Sequence, residues 1–233
     1  MREVLRYVRR RGRRNTIDLL TIDPASVRVE CINPDRYTQR WELFRAAYAT
    51  SALLSRFTLH RFRATPAEDL VPPPTFTDMN QPHYYACTID HATIIRRSLE
   101  RGDALLLVFE DDATIEPNFD AVLLDTMKAL PSDWIGLTLG SHTALGNRHA
   151  EMRWGGRHRL CRGQMGAHAY LLNREGMRRV SAMLEVRKHY DIVDLAYARM
   201  HRADPNWYAP PAWISNQLSE NFKRRDDFAH GPA

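Results

Sequence analysis

Cysteine is scarce in this chain: Cys31, Cys87 and Cys161 are scattered through 233 residues and odd in number. That excludes a disulfide framework, and their spacing is not that of a metal-binding cysteine motif. Reduced, mostly structural thiols in a cytoplasmic protein are expected. Also missing is any apolar run near the ~20 residues of a membrane-spanning helix, and no secretory leader is visible. No internal repeat occurs. A length of 233 residues suits one sizeable core.

Positive charge is unevenly placed. Residues 1–14 hold seven arginines against one acid, Glu3, so they account for +6 of a net +5, and the rest of the chain is close to −1. The basic character therefore belongs to an N-terminal arm and lead-in, residues 1–26, and not to the body. Such an arm suits peripheral contact with anionic lipid on the inner face of a membrane. Nucleic-acid binding is not expected of a body that is not basic.

Periodicity gives the class. Val27 to Ile32 alternates apolar and polar residues and predicts a strand, closed by the turn Asn33-Pro34-Asp35-Arg36. A helix follows on Trp41, Leu43, Phe44, Ala47 and Tyr48. Phe57 to Phe62 predicts a second strand, and residues 66–82, rich in proline, a long loop. Residues 84–100 predict a helix ending at Gly102. The run Ala104 to Phe109 predicts a buried strand, Pro117 to Leu130 a helix, and Trp134 to Gly140 another strand. Residues 141–164 lack a period and read as loop with short extended pieces. Ala167 to Leu172 predicts a strand and Arg174 to Val186 a helix. From Tyr208 onward the sequence reads as irregular, with a polar tail at 223–233. Alternating strands and helices make the body, residues 27–222, a single α/β domain.

The predicted strand 104–109 ends in three acids, Glu110, Asp111 and Asp112. Open α/β sheets place ligands at the carboxyl ends of their strands. Adjacent carboxylates repel one another, and a hard divalent cation relieves that repulsion while leaving positions for phosphate oxygens. If the run stays extended, Glu110 and Asp112 share a side and Asp111 faces away. A phosphatase of the haloacid-dehalogenase type would need an aspartate nucleophile where Glu110 stands. The longer side chain misplaces the attacking atom by about an ångström, an error that can cost ~100-fold. Transfer of a sugar from a nucleotide diphosphate needs no protein nucleophile in its simplest form, and the triplet suits it.

Several segments, in order, carry a resemblance. They are Cys31-Ile32-Asn33-Pro34-Asp35-Arg36 with Arg40-Trp41-Glu42-Leu43-Phe44; Ala86-Cys87-Thr88-Ile89-Asp90-His91; Phe109-Glu110-Asp111-Asp112-Ala113 with Pro117-Asn118-Phe119; Asp133-Trp134 through Leu139-Gly140; and Gly166 to Leu172 with Gly176. Together they resemble glycosyltransferase family 25, the lipopolysaccharide and collagen-type galactosyltransferases. Pro34 and Asp90 depart from the family's leucine and serine. The resemblance implies a GT-A-like (Rossmann-type) fold, a Mn2+ or Mg2+ cofactor, a UDP-sugar donor and inverting transfer of galactose to a glycan or glycoconjugate acceptor. The alternative is a glycosyltransferase-like protein that binds sugar or serves as a scaffold without turnover.

On that reading Asp112 and Glu110 are expected to hold the metal, with Asp111 as a structural or ribose-contacting neighbour. His168 is either a further metal ligand or a hydrogen-bonded core histidine. His91 either touches donor phosphate or acceptor, or bonds a carbonyl from its helix. Arg36 and Arg40 are candidates for the uracil or diphosphate. Inverting transfer needs a carboxylate base. Asp194 and Asp191 are the candidates, with Asp194 the better match to the family's late aspartate; the competing role for either is a helix N-cap.

Overall fold

The computed structural model describes residues 14–76, 82–141 and 166–218, and the backbone of two short strands at 152–154 and 158–160. Most of the arginine arm, Cys161 and the polar tail 223–233 lie outside the described residues. The strands are β1 (Val27–Asn33), β2 (Leu59–Arg63), β3 (Leu105–Glu110), β4 (Gly136–Thr138), β5 (Met152–Trp154), β6 (His158–Leu160), β7 (Ala169–Asn173) and β8 (Trp207–Ala209). The helices are α1 (Thr38–Thr50), α2 (Pro82–Arg101), α3 (Phe119–Ala129), α4 (Arg174–Arg187) and α5 (Val193–Ala203). The α/β class expected from the sequence is the class observed.

All eight strands join one mixed sheet in the order β2-β1-β3-β7-β4-β8-β6-β5. β1 lies between β2 and β3 and is parallel to both. β7 runs antiparallel to β3 and to β4. The chain leaves β1 toward one side, through α1 to β2, then returns through α2 to β3 on the other. Strand order thus reverses beside β1, and ligands collect at such a switch point.

Both faces of β3 are covered, so its side chains alternate between two apolar layers. Leu105, Leu107 and Phe109 pack with Phe44 and Tyr48 of α1 and Phe119, Leu123 and Met127 of α3. Leu106 and Val108 pack with Ile94 and Ile95 of α2, Met177, Val180 and Leu184 of α4, and Tyr197 of α5. Tyr170 and Leu172 of β7 join that second layer. The next residue of the even series is Glu110, which the alternation sends toward α2.

Two stretches differ from the sequence expectation. The segment read as irregular from Tyr208 begins with β8, which is parallel to β4 and antiparallel to β6. Trp207 and Tyr208 are fully buried, so burial overrides the loop signal of Pro210-Pro211, which only ends the strand. Beyond it, Ile214 and Ser215 donate backbone N–H groups to Leu139, and Glu116 and Thr114 donate to Ile214 and Asn216. The lead-in also packs on the body. Leu19 belongs to the first apolar layer, and Asn15 accepts from the Trp134 indole at 3.0 Å.

Gly102 closes α2 with φ +86°, as the sequence predicts. A tighter constraint lies at the start of α4, where the Asn173 side chain caps the helix by accepting from Gly176 N at 2.8 Å. A Cβ on Gly176 would come within 1.9 Å of the Ile135 carbonyl oxygen, and backbone cannot yield as a side-chain tip can. Gly176→Ala is therefore expected to cost about 3 kcal/mol, the upper part of the range for overpacking. Urea unfolding measures it, and a change below 0.5 kcal/mol on that scale would contradict the close approach.

Candidate functional site

The three acids do not stay extended. β3 stops at Glu110, and Ala113 N donates to Glu110 O at 3.0 Å, turning the chain. Each meets a different element.

Glu110 follows the alternation of its strand to α2. Its Oε1 lies 3.3 Å from His91 Nε2 and 3.7 Å from Cys87 Sγ. Cys87 and His91 are four residues apart, so both project from one face of the helix. The other ring nitrogen, Nδ1, lies 2.9 Å from the Tyr170 hydroxyl. Histidine, phenol and carboxylate thus form a chain across α2, β7 and β3. Burial, with the charges of Glu110 and Asp194 adding to it, holds the Cys87 thiol well above the usual range.

Asp111 turns to β1 and α1. Its Oδ2 accepts from Asn33 Nδ2 at 2.6 Å, and Arg40 Nη1 is 3.9 Å from Oδ1. Arg40 is itself buried, with its guanidinium 4.0 Å over the Tyr37 ring and Arg36 also stacked there at 4.7 Å. Burial is the largest influence on Asp111 and raises its pKa from 3.8 to about 7; the Asn33 bond and Arg40 oppose that, while the charges of Asp112 and Glu110 add to it.

Asp112 faces the C-terminal segment. Its carbonyl accepts from Leu218 N at 2.7 Å, and Gln217 Nε2 lies 3.4 Å from both carboxylate oxygens. The residues read as an irregular tail therefore close one wall around the acid.

A cleft of about 610 Å3 opens over this turn, lined among others by Arg36, Tyr37, Arg40, Glu110, Asp111 and Asp112. That volume suits a ligand of nucleotide-sugar size. Thr65 and Asp90 form part of its far wall. Buried Asp90 accepts from Thr65 N at 3.0 Å and from Thr65 Oγ1 at 2.5 Å, pinning the segment after β2 to α2.

The remaining candidates are placed as follows. His168 is buried; its carbonyl accepts from Glu110 N at 2.8 Å, and its Nε2 packs where a Cβ on Gly140 would stand, 2.3 Å away. Asp194, in the first turn of α5, accepts from Ala167 N at 2.8 Å and is close enough to Cys87 to raise its pKa. Asp191 is buried and bonded in ion pairs to Arg199 at 3.1 Å and Arg187 at 3.5 Å. Among the described residues, the side chains whose ligand atoms gather within 4.8 Å of one another are Cys87, His91 and Glu110. The set Asp112, Glu110 and His168 expected from the sequence is not gathered in that way. Sequence reasoning overlooked Cys87, Asn33, Tyr170 and Gln217. The spacing Cys87-x-x-x-His91 was the available signal for the first; the others depend on long-range pairing.

No family model and no curated protein matches the chain. Among solved structures, it is similar to a glycosyltransferase involved in the glycosylation of the major capsid of PBCV-1, at 9% identity and TM-score 0.47, over 87% of this chain and 97% of that one. It is also similar to a protein from STIV, at 12% identity and TM-score 0.45, over 83% of this chain and 86% of the other.

Burial of Asp111 sets a pH dependence. In the folded chain its carboxyl stays protonated up to about 7, against a reference value of 3.8, so the folded state holds the extra proton between those limits. With chelator present, stability therefore falls as pH rises from about 4 to about 7 and does not recover above. Asp111→Asn removes this charge and can still accept from Asn33. Relative to the parent, it is expected to gain on the order of 3 kcal/mol between pH 4 and pH 8. A stability difference that is flat across that range, in urea titrations, would contradict it.

Proposed function

We propose that the protein is a metal-assisted glycosyltransferase that moves a hexose from a UDP-sugar to a hydroxyl of a glycan or glycoconjugate. Galactose is the sugar favoured by the resemblance to family 25, and inversion the stereochemical course. One observation carries this reading. Three carboxylates stand at the carboxyl end of β3, at the switch point of the sheet, and open on a cleft of about 610 Å3 whose rim holds Arg36, Tyr37 and Arg40.

The acid turn fits a hard cation. Its donors are carboxylate oxygens, and the charges of Asp112 and Glu110 add to the burial that raises the Asp111 pKa. Asp112 and Glu110 would hold Mn2+ or Mg2+. Such an ion supplies charge neutralisation for the departing diphosphate. The protein's own groups do the rest. Arg36 and Arg40, both over the Tyr37 ring, are assigned the uracil or diphosphate of the donor. Asp111, braced by Asn33 and Arg40, fixes the turn.

Transfer then requires the acceptor oxygen to lose its proton as it attacks the anomeric carbon and the bond to the diphosphate oxygen breaks. Asp194 is assigned that proton. It is near enough to Cys87 to raise that thiol's pKa, whereas Asp191 is engaged with two arginines and anchors α5 to α4. The GT-A-like fold accords with an α/β sheet carrying its acids at this edge. The arginine-rich arm is assigned peripheral contact with an anionic membrane face; no helix among the described residues is long and apolar enough to cross a membrane.

Asp112→Asn is expected to lower Mn2+-dependent transfer or UDP release by ~100-fold or more, with an unchanged melting profile. Asp194→Asn is expected to lower kcat by ~100-fold with little change in donor KM. A panel of UDP-sugars provides the assay. Full activity in the Asp112 variant, or no binding of any UDP-sugar by calorimetry with Mn2+ present, would overturn the proposal and favour a binding protein without turnover.

A further inference from the structure

We infer that Cys87, His91 and Glu110 form a second metal site, joined to the acid turn through Glu110, that takes a borderline-soft divalent ion of the zinc or cobalt kind with one coordination position open to the cleft. The donor set decides the class of ion. Sulfur, imidazole nitrogen and a single carboxylate oxygen select zinc-like ions, whereas Mg2+ and Mn2+ favour oxygen alone.

The spacing agrees. A tetrahedral zinc ion with the usual bond lengths sets its ligand atoms about 3.3 to 3.6 Å apart, while an octahedral Mg2+ site sets them about 2.9 Å apart. Here the two edges from Glu110 Oε1 are 3.3 Å to His91 Nε2 and 3.7 Å to Cys87 Sγ, and all three ligand atoms lie within 4.8 Å of one another. The first edge falls in the tetrahedral range and the second lies just beyond it, so both are closer to the tetrahedral ion than to the octahedral one.

Charge agrees as well. A thiolate, a carboxylate and a neutral imidazole sum to −2, so a divalent ion leaves a neutral cluster, the form that burial tolerates. Binding releases the Cys87 thiol proton to solvent. Without an ion, that thiol is held in its protonated form by burial and by two carboxylates, which argues against a free thiolate nucleophile at this place.

The surroundings supply what metal-bound histidines need. His91 Nδ1 faces the Tyr170 hydroxyl at 2.9 Å. When Nε2 binds an ion, Nδ1 carries the proton and donates it to the phenol oxygen, which fixes ring orientation. Tyr170 and His91 are fully buried, so the site is preformed. Three protein ligands with the fourth position toward solvent is the arrangement of zinc sites that act on substrate. Cys87 and Glu110 both line the cleft, so that position receives water or a substrate oxygen. Glu110 offers Oε1 here, and a carboxylate has a second oxygen for a cation at the acid turn.

Cobalt titration of the full chain, without sugar nucleotide, tests the site. The expected result is one equivalent of Co2+ giving the thiolate charge-transfer band in the near ultraviolet and strong tetrahedral bands in the visible, all displaced by Zn2+. Cys87→Ala should abolish the charge-transfer band, and Cys161→Ala should keep it. Tyr170→Phe, which preserves the ring, should weaken Co2+ binding by ~10–100-fold while the band stays. Absence of the band in the parent protein overturns the inference, as does its survival in Cys87→Ala. Circular dichroism of each variant shows that it has folded. Because no donor is present, this result stands or falls separately from UDP-sugar transfer.

Discussion

A strand buried on both faces has to end somewhere, and here β3 ends in charge. Carrying three carboxylates to the edge of an apolar sheet removes water from them, and that desolvation is the constraint on which the surrounding architecture depends. The chain meets it by turning at once after Glu110, and partners come from several elements. Asn33 from β1 and Arg40 from α1 take Asp111. His91 and Cys87 from α2 take Glu110. Gln217, from the segment after β8, takes Asp112. Four separate stretches of sequence are drawn to one turn, and the cleft is the space left between them.

The same turn explains why the last described residues run where they do. A segment that follows Pro210-Pro211 would ordinarily drift on the surface. Here Thr114, Glu116 and Asp112 exchange backbone bonds with residues 214–218, and Asn216 Nδ2 reaches Glu116 at 2.9 Å. Gly140 allows that approach, since a Cβ there would strike the Ser215 carbonyl oxygen at 2.2 Å. The opposite wall is fixed by another buried acid, Asp90, through Thr65. Both sides of the cleft thus rest on carboxylates paired with short polar groups, and its mouth keeps the arginines.

Much of this was legible in the sequence because period-2 and period-3.6 patterns report burial directly. The acid-tipped strand, the helix carrying Cys87 and His91, and the Gly102 stop all follow from local residues. What local reading could not supply was pairing at long range. β8 looks like loop until Trp207 and Tyr208 are seen to fill the layer beside β4. Leu43 fits the apolar stripe of α1, yet it is exposed, because the helix turns Arg40, Phe44 and Tyr48 inward instead. Arg40 is buried to meet a carboxylate 71 positions later in the chain, a need invisible in its own neighbourhood. The reading that put Glu110 and Asp112 on one side was conditional on an extended run, and alternation applies only while the strand persists.

The turn also sorts its donors by chemistry. Toward β1 and the C-terminal segment the groups are oxygen and amide, hard and acidic; toward α2 they are sulfur and imidazole. Glu110 stands on the boundary between them. An ion attracted by charge alone would favour the hard side, while an ion that gains from covalency with sulfur would favour α2, and affinity among first-row ions rises toward the softer metals at nitrogen and sulfur donors. The two preferences need not compete for one oxygen, because Glu110 stands between α2 and the turn and its carboxylate has an oxygen for each side. Separation of hard from soft ligands at this edge follows from the place where β3 stops being a strand.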